Sequence, residues 1–161
     1  MINISQLLVD SAIYVALASV LLLGLVLYNP RLMLQDYPPA IKALVPPKTE
    51  TEKRQSTIYG MPFLLALLVV PFFFVWRLNT EAFLPLFLHA FGVIWAFNIF
   101  DWLVLDWLVF CTITPKMFVI PGSEGHPAYK DYAFHFRGFL IGTVFSLVLA
   151  LITAGVVSVL K

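Results

Sequence analysis

The amino-acid sequence predicts an all-α integral membrane protein, a four-transmembrane-helix bundle with both termini on the outside. Three observations lead there. Of 161 residues, 61% are apolar and only 12% are charged, whereas a soluble domain carries about a quarter charged residues; the mean hydropathy is +0.92. The apolar residues gather in four stretches, each near the roughly 20 residues that a bilayer crossing requires. The basic residues, finally, divide unevenly between the two sides of that arrangement. A water-soluble globule is excluded. A formal charge of +1 leaves no electrostatic footprint for nucleic acid. The single cysteine, Cys111, allows no intrachain disulfide and no zinc or iron–sulfur spacing. One membrane domain, 1–161, is expected, with the lipid bilayer as its main partner.

The first span, 7–28, is interrupted only by Asp10, Ser11, Ser19 and Gly24. It lacks a basic leader and a small-residue cleavage site, so it is expected to be retained. The second, 58–76, holds no charge but contains Pro62 and Pro71. Neighbouring helices can re-satisfy the carbonyls that prolines free, which predicts a kink near Pro71 rather than a break. The third, 83–114, would make about 48 Å of helix at 1.5 Å per residue, and must tilt or project past the bilayer. The fourth, 134–160, follows an amphipathic lead-in through Tyr129 and Tyr132, with Pro127 suited to its first turn.

Orientation follows from the basic residues. Arg31, Lys42, Lys48, Lys53 and Arg54 lie between the first two spans, and Lys116, Lys130 and Arg137 between or beside the last two. Arg77 and Lys161 stand alone on the other side. The connections 29–57 and 115–133 should therefore face the cytoplasm of a cell membrane crossed several times, with a tight outer turn around 78–81. Tyr28, Tyr59, Trp76 and Tyr132 fall near headgroup level, as interfacial aromatics do. The diprolines Pro38-Pro39 and Pro46-Pro47 and the charged run 48–54 make the first connection a semi-rigid extended linker. Its apolar stretch 40–45 is suited to rest on the membrane surface or to dock a partner.

Polar groups inside the membrane are costly unless paired or solvated, which makes them the most informative residues. On an ideal helix, Trp95, Asn98, Asp101, Trp102, Asp106 and Thr112 share a sector of about 140° facing the bundle interior. His89 lies about 180° from Asn98. The repeated Asp-Trp pairs at 101–102 and 106–107 are five residues apart, which separates the carboxylates by about 140° on an α-helix. A local π-bulge, or a ligand large enough to bridge them, would bring them together. No metal is assigned to them. Two accounts stand. In one, Asp106 pairs with Arg137 or Lys116, and Asp101 is protonated or bonded to Asn98 and an indole N–H. In the other, Asn98, Asp101, Trp102 and Asp106 form an intramembrane binding site for a cation, a proton or a polar substrate.

The second connection gathers an interfacial polar cluster of His126, Tyr129, Lys130, His135 and Arg137, with Glu124 and Asp131 nearby. Pro121, Gly122, Gly125 and Pro127 predict a defined turn. Such a cluster suits acid–base chemistry or phosphate contacts to a lipid or polar metabolite, and equally a solvated loop. His126 and His135 lack the spacing of a haem-binding bundle. In the fourth span Gly138, Gly142, Ser146, Ala150, Ala154 and Ser158 recur every four residues, a small-residue ridge made for close helix approach. It would receive either a helix of this chain or, through Gly138, Gly142, Ser146 and Ala150, a second copy in a homo-oligomer.

No nucleotide-binding glycine loop, thiol redox pair or serine–histidine arrangement is present, and no motif names a cofactor. The expected function is a transporter or channel-like protein with an intramembrane carboxylate site on the third helix. The alternatives are a membrane enzyme acting on a lipid or amphiphile at the cytoplasmic face, and a non-catalytic scaffold subunit.

Overall fold

The computed structural model describes residues 3–161, and every regular element among them is helical. Helix α1 runs Ile4–Tyr28, capped by Asn3, which accepts from the Gln6 N–H at 3.1 Å. A 3₁₀ segment, Pro30–Asp36, and the short α2, Pro39–Lys42, follow. Helix α3, Glu50–Trp76, begins well before the apolar stretch, because Thr49 and Glu52 form a capping box inside the charged run. Helix α4, Phe83–Phe100, passes directly into a π-helical segment, Asp101–Ile113. Helix α5, Tyr132–Leu160, starts where Asp131 accepts from the Phe134 N–H at 2.9 Å, just after the Pro127–Lys130 3₁₀ turn. Four of these helical units are long and apolar enough to cross a membrane, as expected of a polytopic membrane protein.

Large apolar side chains such as Val20, Phe73, Phe145 and Val159 point outward, where lipid tails are as good a surrounding as a protein core. Inside, α4 packs most extensively on α5 and also meets α1 and α3. One half of the bundle is filled: Val75, Leu86, Ala90, Ala150, Ala154 and Val157 form one buried cluster, and Tyr14, Ala18, Phe74, Val93 and Phe97 another. This is the half that holds the α3–α4 turn and the C-terminus, since Lys161 Nζ donates to the Leu78 carbonyl at 2.6 Å.

Helix α3 runs unbroken through Pro62 and Pro71. Pro71 has no N–H to give the Leu67 carbonyl, four residues back. The buried Tyr14 hydroxyl of α1 supplies it instead, at 3.1 Å. Tyr14→Phe is therefore expected to cost about 1 kcal/mol, and much less in a Pro71→Ala background, where the backbone reclaims the carbonyl. Thermal unfolding of the four variants in one detergent checks this, and an equal cost in both backgrounds would refute the assignment.

The first connection is not the extended linker expected from its prolines, nor a segment resting on lipid. Arg31 Nε pairs with Glu52 at 2.6 Å while its NH2 reaches the Pro46 carbonyl at 3.1 Å. Lys48 Nζ donates to the Leu32 carbonyl and to Ser56 Oγ, both at 2.9 Å. With the chain so tied, Tyr37, Ile41 and Val45 pack against Phe118, Ile120 and Tyr129 of the second connection in a buried cluster that Val26, Phe110 and Cys111 complete from below. The Tyr37 hydroxyl donates to the Phe118 carbonyl at 2.8 Å. Gly122 and Gly125 shape the second connection with φ of 91° and 70°, values open to glycine at little cost. The two connections thus form one folded cap over the end of the bundle. The apolar residues of each find their partners in the other and in Val26, Phe110 and Cys111 of the bundle end, which a pattern along one segment does not reveal.

The small-residue ridge is occupied within the chain. Ser146, Ala150 and Ala154 are buried against α4, and a Cβ on Gly142 would overlap the side-chain oxygen of Asn98. Gly138 is the exception, since a Cβ there meets nothing within 4 Å; it faces a cavity.

Candidate intramembrane binding site

The site begins with the π segment. An i→i+5 ladder places residues five apart almost above one another. The Thr114 N–H donates to the Val109 carbonyl at 2.9 Å, and Thr112 Oγ1 to that of Trp107 at 2.7 Å. The Trp102 and Trp107 rings meet edge to face with centroids 4.8 Å apart. The same step brings Asp101 and Asp106 onto the wall of one cavity, so the wide separation of an α-helix is much reduced by the local winding.

That cavity, about 700 Å³, lies beneath the cap between α1, α3, α5 and the π segment. Leu22, Val26, Phe63, Leu64 and Phe139 give it apolar walls; Asp36, Asn98, Asp101, Asp106 and His135 supply the polar groups. It reaches as deep as Asn98 and Gly142, where the packed half of the bundle begins. No lysine or arginine lines it among the described residues.

His135 sits in the first turn of α5, is 6% exposed, and places Nδ1 2.9 Å from Asp106 Oδ1. Asp106 is therefore not the partner of Arg137 or Lys116, whose side chains are both exposed on the surface. With an ionised Asp106 accepting from Nδ1–H, a neutral imidazole keeps its lone pair at Nε2. That nitrogen is buried with no hydrogen-bond partner, and so is the indole Nε1 of Trp102.

Asp101 has no hydrogen-bonding side chain beside it among the described residues, contrary to the expected bond to Asn98 and an indole. The Asn98 amide donates instead to the Phe139 carbonyl at 3.1 Å and to Thr143 Oγ1 at 3.0 Å. The Trp95 indole also goes to Thr143, at 3.2 Å, and that of Trp107 to the Tyr132 carbonyl at 3.2 Å. Helix α5 offers these groups acceptors that the α4 pattern alone does not display.

The interfacial cluster is dispersed. His126 Nδ1 accepts from the Ala128 N–H at 3.2 Å and caps a 3₁₀ turn. The buried Tyr129 hydroxyl accepts from the Ile120 N–H at 2.8 Å and is hydrogen-bonded to Ser123 Oγ at 2.7 Å, which itself donates to the Ile120 carbonyl. Lys130 and Arg137 are exposed, and His135 alone reaches the cavity.

Asp36 was not anticipated. It is the lone acid between Asn29 and Pro47, and only the folding of the cap turns it toward Asp101 and Asp106. It is accessible at the cavity rim, but the protein around it raises its carboxyl pKa by desolvation. The hydrogen bond from Gln35 Nε2 at 2.8 Å and the charges of Lys48 and Lys42 offset part of this. With a folded-state pKa above the unfolded one, this group favours folding at low pH. That contribution is lost as pH rises from the unfolded value through the folded one.

A second polar cluster, also missed, lies in the packed half. Asp10 is fully buried and accepts from Arg77 on one oxygen, while His89 Nε2 stands 2.9 Å from the other. It staples α1 to the end of α3 and to α4, and accounts for a histidine on the face of α4 away from the aspartates. No protein-family model, no curated protein and no solved structure matches this chain. Its function therefore has to be read from the cavity itself.

Proposed function

We propose that this membrane protein binds a small amphiphile in the cavity and carries it across the bilayer, the tail against α1 and α3 and the polar head at Asp36, Asp101, Asp106 and His135. The observation behind it is the cavity's extent. It runs from the cap to the middle of the helical unit that α4 and the π segment form, and is bounded beyond by packed side chains. A mid-bundle site open toward one side fits alternating access, whereas a channel needs a continuous path. The eight-to-two division of basic residues supports a cytoplasmic cap in a multi-pass cell membrane.

A second reading, chemistry on the bound amphiphile, is favoured by the Asp106–His135 pair. A carboxylate on Nδ1 fixes the tautomer and leaves Nε2 as a base.

Gly138→Phe tests the shared core of both readings. A Cβ at Gly138 meets nothing within 4 Å and the adjoining cavity of about 700 Å³ has room for a ring, so the fold should persist with a melting temperature close to wild type. Photolabelling by a diazirine-bearing decanol should fall at least fivefold on peptides containing Asp101 and His135. Undiminished labelling of those peptides would overturn the proposal.

A further inference from the structure

We infer that the cavity selects cationic amphiphiles, specifically a single alkyl chain carrying an ammonium head; this rests on the amphiphile-binding proposal above and names its substrate class. Three carboxylates, Asp36, Asp101 and Asp106, line one end, and no lysine or arginine lines the cavity among the described residues. Carboxylates brought together in a low-dielectric wall repel one another and call for a counter-charge. Lys48 stands at the rim, its Nζ held by the lining residues Leu32, Gln35 and Ser56, and Lys42 donates to the Gln35 carbonyl at 3.1 Å; both charges act on Asp36, and neither side chain lines the wall beside Asp101 and Asp106.

An independent observation points the same way. His135, 6% exposed and on the same wall, has its Nδ1 against Asp106 and its Nε2 without a partner. In the neutral tautomer that places Nδ1–H toward Asp106, Nε2 carries a lone pair, an acceptor suited to an N–H donor. The aromatic rings of Trp102, Phe110, Phe134 and Phe139 also line the site, and ring faces attract ammonium groups. A phosphate-headed lipid would need cations that stand outside, since Lys130 and Arg137 are exposed. A bare divalent ion is no better served, because no three acidic or histidine side chains among the described residues form a metal-holding group. Beyond the head, Leu22, Val26, Phe63 and Leu64 form the apolar wall that a single alkyl chain requires.

The test uses the whole protein in nanodiscs with decylammonium, decyl sulfate and decanol, each below its micellar concentration. Melting temperature and tryptophan fluorescence report binding, since Trp102 lines the site. Decylammonium should bind saturably and raise the melting temperature, and decyl sulfate should not. Asp101→Asn and Asp36→Asn should each weaken decylammonium at least tenfold, and the exposed Arg137→Gln should leave it unchanged. Equal binding of decyl sulfate, or full affinity in both aspartate variants, would overturn the inference. Saturable decanol binding matched by decylammonium would sink the cation preference and leave the amphiphile site standing. Absence of saturable binding by all three probes would remove both.

Discussion

Gly142→Leu is expected to destabilise the bundle by about 3–5 kcal/mol, combining the upper range of overpacking with the loss of two hydrogen bonds. The glycine lies in the α4–α5 seam, where even a Cβ would overlap Asn98 Oδ1. The Asn98 amide cannot simply swing away, because its N–H groups are committed to the Phe139 carbonyl and Thr143. Within lipid there is no hydrophobic gain to offset a poorer fit, so van der Waals contact decides whether the helices stay together. Gly142→Ala should show a smaller effect of about 1–2 kcal/mol, largely relieved by Asn98→Ala, which removes the overlapping amide. Gly155 is the control, since a Cβ there meets nothing within 4 Å. Thermal unfolding in a single detergent distinguishes the variants. Wild-type stability for Gly142→Leu would mean that the seam does not form.

Asp101→Asn should keep the fold and abolish function, with uptake of decyltrimethylammonium into proteoliposomes falling at least tenfold. This probe cannot leak across as a neutral amine. Asn is nearly isosteric, and Asp101 has no protein partner among the described residues to lose. Asp106 behaves differently because of what it holds. Paired with a buried lysine or arginine, its removal would cost about 3–5 kcal/mol by stranding a charge. Its partner is His135, through one contact at Nδ1. Asp106→Asn retains an acceptor for Nδ1–H and should be mild, while Asp106→Leu leaves that buried donor unsatisfied at about 1–3 kcal/mol. Stability measured beside uptake separates the two aspartates. Unchanged uptake in Asp101→Asn would defeat the transport proposal and favour a scaffold role.

The aspartate outcome turns on a winding that the sequence admits without requiring. The five-residue step between the Asp-Trp pairs is compatible with an α-helix that parts the carboxylates and with a π-helix that joins them. The packing of Trp102 on Phe139, with centroids 4.3 Å apart, and the anchoring of Trp107 to Tyr132 belong to the π arrangement, and both partners lie on α5. Of the polar sector expected on the third span, Asn98, Asp101, Trp102 and Asp106 line one cavity, whereas Thr112 is exposed.

The number of spans and their approximate limits follow from sequence alone, since a bilayer sets length and hydropathy on each segment separately. The small-residue ridge announces a close contact for the same local reason, though not with whom. What only the tertiary structure decides is every pairing between distant segments: Tyr14 with the carbonyl that Pro71 frees, Asp10 with His89 and Arg77, Asp106 with His135, and Asp36 with the cavity. The cap belongs to this group, as Tyr37 meets the Phe118 carbonyl across 81 residues of chain. Each of these contacts joins groups whose local patterns name no partner, and which partner is reached depends on how the helices pack side by side. Hydropathy therefore reports the solvent around each segment, while the site arises from which segments become neighbours.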